Sequence, residues 1–363
     1  MAPYLGSPDE QQERPKLRQI HCSGSPYEIG FQHGSEARHQ VSRTIEFYTG
    51  MFKDTAKMDW AQVRELAMDD YEPVIRQKWP HYHEEMRGVA EGARVALADI
   101  IACNVRTEIT FGLFSDGCTA LSWHTAASSF LAQNWDWNEA QKANLVALTI
   151  DQSAARKPTI KMITEAGLIG KIGLNFAGVG VCLNAIKMKG ADPGRLPCHL
   201  GLRMVLDSES REAAVRQLEA FGVASSCHML IADASGGIGL EWSSADVQKC
   251  EMNAAGQVFH SNHYLQKHPS TGPDTNWLAD STFRVARIEE LAGGLVRGEP
   301  SAEALFEVFK DETNAPGAIC RIQKGHSTSA TLFNIVMDLK ARRAGVTLGR
   351  PIDPDDYLEL AFD

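Results

Sequence analysis

Ser115-Asp116-Gly117-Cys118-Thr119 stands where the pattern of this chain changes. Upstream, apolar residues recur at helical spacing. Downstream, they run in short stretches broken by turn residues, the mark of successive strands. The upstream part opens with a short strand, Gln19 to Cys22. Helical stretches then begin at Pro26, Trp60 and Trp79, the last with Met86, Val89 and Val95 on one stripe, and a short one runs from Leu97 to Cys103. Downstream, strands are expected at 119–123, 129–133, 145–150, 159–164, 171–176 and 180–184. Helices return at 199–207 and 211–221, followed by strands at 227–232, 237–242 and 258–261. Helices at 281–295 and 301–311 and two late strands, 330–337 and 345–348, close the chain. This order predicts an α+β architecture, two sheets packed face to face and covered by helices on both outer faces.

Composition narrows the function. A chain of 363 residues buries enough surface to fold without staples. Its net charge of −10 argues against a nucleic-acid partner, whose binding rests on phosphate neutralisation. The most apolar stretch, Leu168 to Ile186, is broken by Lys171, Asn175 and Asn184, so no membrane span is expected. The first residues carry neither a basic nor an apolar export region, and the last are neither a peroxisomal nor a retention signal. The expected location is therefore the cytosol, where the eight cysteines stay reduced. No two of them have zinc-type spacing.

One cysteine is placed differently from the rest. By itself Asp116-Gly117-Cys118 reads as a turn before a buried strand cysteine. At the handover from helices to strands it reads as a self-processing nucleophile. Gly117 has no Cβ, so it admits close approach to its carbonyl. The Cys118 thiol can attack that carbonyl, form a thioester and, after hydrolysis, become a new N-terminus. The freed α-amine, with an ordinary pKa of about 7.7–8.0, can then serve as base towards its own thiol.

Three later segments can complete such a site. Gln133-Asn134-Trp135-Asp136 ends a strand opposite the start of the Cys118 strand, so Asp136 can hold the new ammonium or orient the amine. In His260-Ser261-Asn262-His263, Asn262 can donate to a tetrahedral oxyanion. Ser327-Thr328-Ser329 enters a late strand and is polar enough to line a pocket. Other signals weigh little. His81-Tyr82-His83-Glu84-Glu85 reads as a solvated helical surface, and a zinc reading of His260 and His263 lacks a third ligand.

At these segments the sequence resembles the acyl-coenzyme A:isopenicillin N acyltransferase family, self-processing N-terminal nucleophile hydrolases. Besides the stretches above, the resemblance rests on Ser25-Pro26-Tyr27-Glu28-Ile29-Gly30, His33-Gly34, Arg106-Thr107-Glu108, Thr164-Glu165-Ala166-Gly167, Gly170-Lys171-Ile172-Gly173, Ile319-Cys320-Arg321 and Ala330-Thr331-Leu332-Phe333-Asn334-Ile335. It implies a four-layer αββα sandwich and cleavage between Gly117 and Cys118, leaving segments 1–117 and 118–363 associated as one domain. It implies Cys118 as nucleophile, Asp136 as the carboxylate beside it and Asn262 as oxyanion donor, with Asn134, Trp137, Asn138 and Thr328 facing substrate. The implied substrate is a small amide or an acyl-coenzyme A thioester, with no metal and no bound cofactor.

The chain departs from the family pattern at two of these positions. Family members that form penicillin carry two aromatics after the Asp where this chain has Trp137-Asn138, and an Arg where it has Thr328. Poor handling of β-lactams is therefore expected, with the thiol chemistry intact. The rival expectations are an uncut, non-enzymatic relative that acts as a binding or scaffold protein, and a metal-dependent hydrolase built on the histidines.

Overall fold

The strand that begins at Gly117 sits second from the edge of a six-stranded sheet, and its neighbours place every group discussed below. The structure, a computed structural model, describes residues 14–110, 117–271, 278–295 and 300–362. The six-stranded sheet runs, in spatial order, Gln257–His260 (β11), Gly117–His124 (β2), Ser129–Trp137 (β3), Ala330–Asp338 (β12), Arg343–Leu348 (β13) and Asp356–Ala361 (β14). The other sheet has eight strands. They are Arg18–Ser23 (β1), Leu145–Asp151 (β4), Ile160–Glu165 (β5), Ile172–Asn175 (β6), Gly180–Ala185 (β7), Cys227–Asp233 (β8), Gly236–Trp242 (β9) and Val247–Cys250 (β10). All pairings are antiparallel except β1 with β4, which is parallel.

The sheets face each other through β2 and β3 on one side and β7, β8 and β9 on the other. Helices Ser281–Leu295 and Ala302–Val308 cover the outer face of the six-stranded sheet. Helices Cys198–Leu206 and Arg211–Phe221, with the N-terminal helices, cover the eight-stranded one. The result is the αββα sandwich that the order of elements implies. The N-terminal helices start where local chemistry starts them: Ser25 and Glu28 form a reciprocal capping box at the head of Pro26–Glu36, with proline in its first turn.

Three sequence expectations change. A third late strand, β14, follows the two that were expected to close the chain; its half-exposed edge position asks for no apolar run, so periodicity misses it. Val247–Cys250, β10, escapes for the same reason. His81–Glu85 is not a solvated surface. Tyr82, His83 and Glu85 are buried, His83 lying 2.9 Å from Glu72 and Glu85 taking a 2.6 Å bond from Arg203. Charged residues inside a helix pattern look solvated until their partners arrive from distant segments. All eight cysteines are buried and none forms a disulfide. Among the described residues no helix is long and apolar enough to cross a membrane.

Candidate active site

Alternation along β2 decides what Cys118 faces. Successive side chains of a strand point to opposite faces. Cys118 and Ala120 join the core between the sheets, with Leu131 and Trp135. Leu121 and Trp123 join a smaller cluster under the helices Ser281–Leu295 and Ala302–Val308. The Cys118 side chain thus enters the space between the sheets, paired across the register with Trp135.

Gly117 faces the other way and pairs with Asp136. A Cβ at Gly117 would stand 2.7 Å from Arg321 Nε and 2.8 Å from Asp136 Oδ2. Only glycine lets these two groups close on the peptide bond ahead of the cysteine. Asp136 is fully buried, accepts a 2.7 Å bond from the Thr331 hydroxyl through Oδ1, and sets Oδ2 3.4 Å from Arg321 Nε. Burial pushes its carboxyl up to about 6, against the pull of Arg321 and Arg284.

The backbone of Cys118 is held on both sides. Its N–H donates to Asn262 Oδ1 at 2.9 Å. Its carbonyl accepts from the Ser261 hydroxyl at 3.0 Å and from Arg284 Nη1 at 2.7 Å. Arg284 also donates to Asn262 Oδ1 at 2.9 Å and to Asp280 at 2.9 Å. Asp280 in turn takes a 2.6 Å bond from Arg321. The loop of partners Asn262, Arg284, Asp280, Arg321 and Asp136 therefore encircles Gly117-Cys118. Asn262 Nδ2 donates to the Ala185 carbonyl at 3.0 Å, which uses one of its two hydrogens.

The structure brings Gly117, Cys118, Asp136 and Asn262 together. Residues 111–116, with Ser115 and Asp116, lie outside the described residues. Asn134 is buried, donates to the carbonyls of Phe309 and Ile319 at 2.9 Å each, and accepts from Asn334 at 2.9 Å. Asn138 caps a short 3-10 helix by accepting from Ala140 N–H at 3.0 Å, so it tethers a turn. Trp137 lines an inner pocket with Arg106, Lys171, Leu183, Cys198 and His199. Thr328 is exposed on the rim of a polar depression that holds Asp280, Arg321, His326 and Ser327.

Sequence reasoning missed Arg284, Asp280 and Ser281. Asp280 and Arg284, four residues apart at a helix start, read as an ordinary helix-surface pair. Ser281 reads as a cap, yet its hydroxyl accepts the Asn262 N–H at 2.7 Å. A second buried cluster lies at the inner pocket. Glu165 accepts from Arg106 at 2.7 Å, Lys171 at 2.8 Å and Gln141 at 3.0 Å, and from the Tyr48 hydroxyl. Burial alone would raise its carboxyl, but Arg106 and Lys171 outweigh this and hold it at about 2.

The profile of the family described as acyl-coenzyme A:6-aminopenicillanic acid acyl-transferase matches residues 123–353. The chain is 41% identical over 347 residues to the acyl-coenzyme A:6-aminopenicillanic-acid-acyltransferase 40 kDa form of Emericella nidulans, covering 94% of this chain and 96% of that protein. Among solved structures it is similar to a penicillin V acylase from Agrobacterium tumefaciens, with TM-score 0.45, 16% identity and coverage of 68% and 86% of the two chains. It is similar also to a variant of conjugated bile acid hydrolase from Clostridium perfringens, with TM-score 0.45, 13% identity and coverage of 67% and 92%.

Proposed function

Because the chain belongs to the acyl-coenzyme A:6-aminopenicillanic acid acyl-transferase family, we propose that it is a self-processing cysteine enzyme that transfers or hydrolyses the acyl group of a small amide. In the first reaction the Cys118 thiol attacks the Gly117 carbonyl carbon. The C–N bond breaks, the thiol proton passes to the departing nitrogen, and a thioester joins Gly117 to Cys118. Water hydrolyses the thioester, leaving a carboxylate on segment 1–117 and a free amine and thiol on segment 118–363.

In the second reaction that amine takes the thiol proton and the sulfur attacks an amide or a coenzyme A thioester. The acyl group then leaves the cysteine for an amine or for water. The remaining Asn262 N–H serves the oxyanion, while Asp136, beside the cleaved junction, orients the amine. Thr328 offers substrate a neutral hydroxyl where a guanidinium would offer a charged fork, which favours acceptors without the carboxylate of a β-lactam nucleus.

The observation that carries this reading is the 2.9 Å bond from Cys118 N–H to Asn262 Oδ1. The nitrogen that must become the catalytic amine already has a side-chain acceptor. Intact mass and N-terminal sequencing test it. Purified protein should give a fragment beginning Cys-Thr-Ala-Leu, and Cys118→Ala should stay one chain. Equal cutting of the alanine variant would assign the cleavage to another protease, and an uncut wild-type chain would favour a binding protein.

A further inference from the structure

Beside Asn262 three histidines are anchored in the same manner. His260 faces the Ser261 carbonyl with Nδ1 at 2.7 Å, His268 faces Asp246 Oδ1 with Nδ1 at 2.7 Å, and His228 faces Asn184 Oδ1 with Nδ1 at 3.0 Å. Those oxygens are acceptors, so each ring donates from Nδ1 and turns Nε2 elsewhere. His260 Nε2 lies 2.7 Å from Glu241 Oε1, and His268 Nε2 lies 3.3 Å from Glu241 Oε2. His228 stacks on His260 with ring centroids 3.5 Å apart, and its fully buried Nε2 has no hydrogen-bond partner. That nitrogen points at Gly239, where a Cβ would stand 2.4 Å from it and 2.9 Å from the β-carbon of Cys250. The ligand atoms of Glu241, Cys250 and His260, all buried, lie within 4.8 Å of one another.

We propose that Glu241, Cys250 and His260 bind a zinc ion, with His268 as fourth ligand. A thiolate, imidazoles and a carboxylate form a donor set that suits zinc, and bonds of about 2.0–2.3 Å put tetrahedral ligands roughly 3.3–3.8 Å apart. To take the ion, the 2.7 Å His260–Glu241 pair must open, the Cys250 sulfur must close in from within 4.8 Å, and His268, now 3.3 Å from Glu241, must swing onto the same point. Histidine ligands of zinc are oriented by an Nδ1–H given to a carbonyl or carboxylate, which is the arrangement of His260 and His268. Glu241 would keep its backbone donors Leu265 and Gln266, now at 2.6 and 2.9 Å, as the outer partners that orient it. His263, paired with His260 in the zinc reading set aside from sequence, takes no part, since its Nδ1 pairs with Ser281 Oγ at 2.7 Å.

The ligands come from β9, β10, the end of β11 and the loop after it. The ion would therefore staple the edge of one sheet to the other, two residues from Asn262. Its expected effect is to steady the segment that holds the Cys118 nitrogen, with no role at the reacting atoms.

The test uses the full chain, stripped with chelator, loaded with zinc and desalted. Elemental analysis should find one zinc per chain. Cobalt in its place should give a thiolate-to-cobalt charge-transfer band in the near ultraviolet. Zinc should raise the melting temperature of the wild-type chain and leave that of Cys250→Ser unmoved, and the cobalt band should vanish in that variant. His268→Asn should weaken zinc retention by roughly tenfold or more. A wild-type chain that retains no zinc, or a cobalt complex without the thiolate band, overturns the proposal. So does a folded Cys250→Ser that holds zinc as tightly as wild type. Should Cys250→Ser fail to fold, the wild-type cobalt spectrum and His268→Asn decide the matter.

Discussion

Gly117 and Asp136 face each other across the β2–β3 register, and the carboxyl that results is an uncommon one. An aspartate in the unfolded chain ionises near pH 3.9. In the fold burial raises Asp136 to about 6. Between these values the folded chain holds a proton that the unfolded chain has lost, so stability falls as pH rises through that window. Two units correspond to about 3 kcal/mol at most. In a Cys118→Ala background, which the proposed mechanism leaves uncut, Asp136→Asn removes the titration. Urea unfolding should show the asparagine variant gaining on its parent by up to that amount between pH 4.5 and pH 8. A constant difference across that range would refute the shift. Asn262 carries a different prediction. On the proposed mechanism, Asn262→Ala should lower kcat by roughly 10²–10³ with little change in KM, since an oxyanion donor acts in the transition state. Full kcat with a raised KM would remove it from that role. Cys118, Asp136 and Asn262 could be singled out in the sequence because each lies at or near a strand end beside turn residues, and the structure brings them together. Arg284 could not be singled out, because nothing local distinguishes an arginine that reaches a distant carbonyl from one that reaches water.

At the scale of elements, strand alternation and one helix start build the site between them. Alternation along β2 sends Cys118 between the sheets and Gly117 towards the helical layer. The helix Ser281–Leu295 adds what period cannot supply. Its first turn delivers Ser281 to Asn262 and Arg284 to the Cys118 carbonyl, to Thr119 Oγ1 at 3.1 Å, to Asn262 and to Asp280. Arg284 is fully buried, so its loss leaves several polar groups without a donor inside the protein. Arg284→Ala in the Cys118→Ala chain should lose about 3–5 kcal/mol in urea unfolding. Arg284→Lys should recover only part of this, because one ammonium cannot reproduce the planar fork. A loss under about 1 kcal/mol, the size of a surface pair, would show that the network is not holding the strand.

At the scale of the whole molecule, the two sides of the Gly117–Cys118 bond are interleaved. The N-terminal segment contributes β1, paired with β4 over Arg18–Ser23 and Leu145–Asp151, and its helices share one core with the sheets. Tyr48, Arg106 and Glu165 join the two segments through buried bonds. Cleavage should therefore leave the fragments together: a single species in gel filtration, two masses only under denaturant. Separation of the fragments in native buffer would show that the interleaving does not survive the cut.

By itself the sequence determined the layered α+β class and most strands and helices, and it singled out the glycine–cysteine junction, Asp136 and Asn262 as candidates. These follow from period, turn residues and residue chemistry, all of which act over a few neighbouring positions. Only the tertiary structure decided which polar side chains meet. Arg284 and Cys118 are 166 residues apart, and Arg321 and Asp136 also lie on distant segments. The same holds for Cys250 and Glu241, which meet His260 where β9, β10 and β11 converge. Such meetings depend on sheet order and register, which arise from the packing of the whole chain, so no local pattern encodes them.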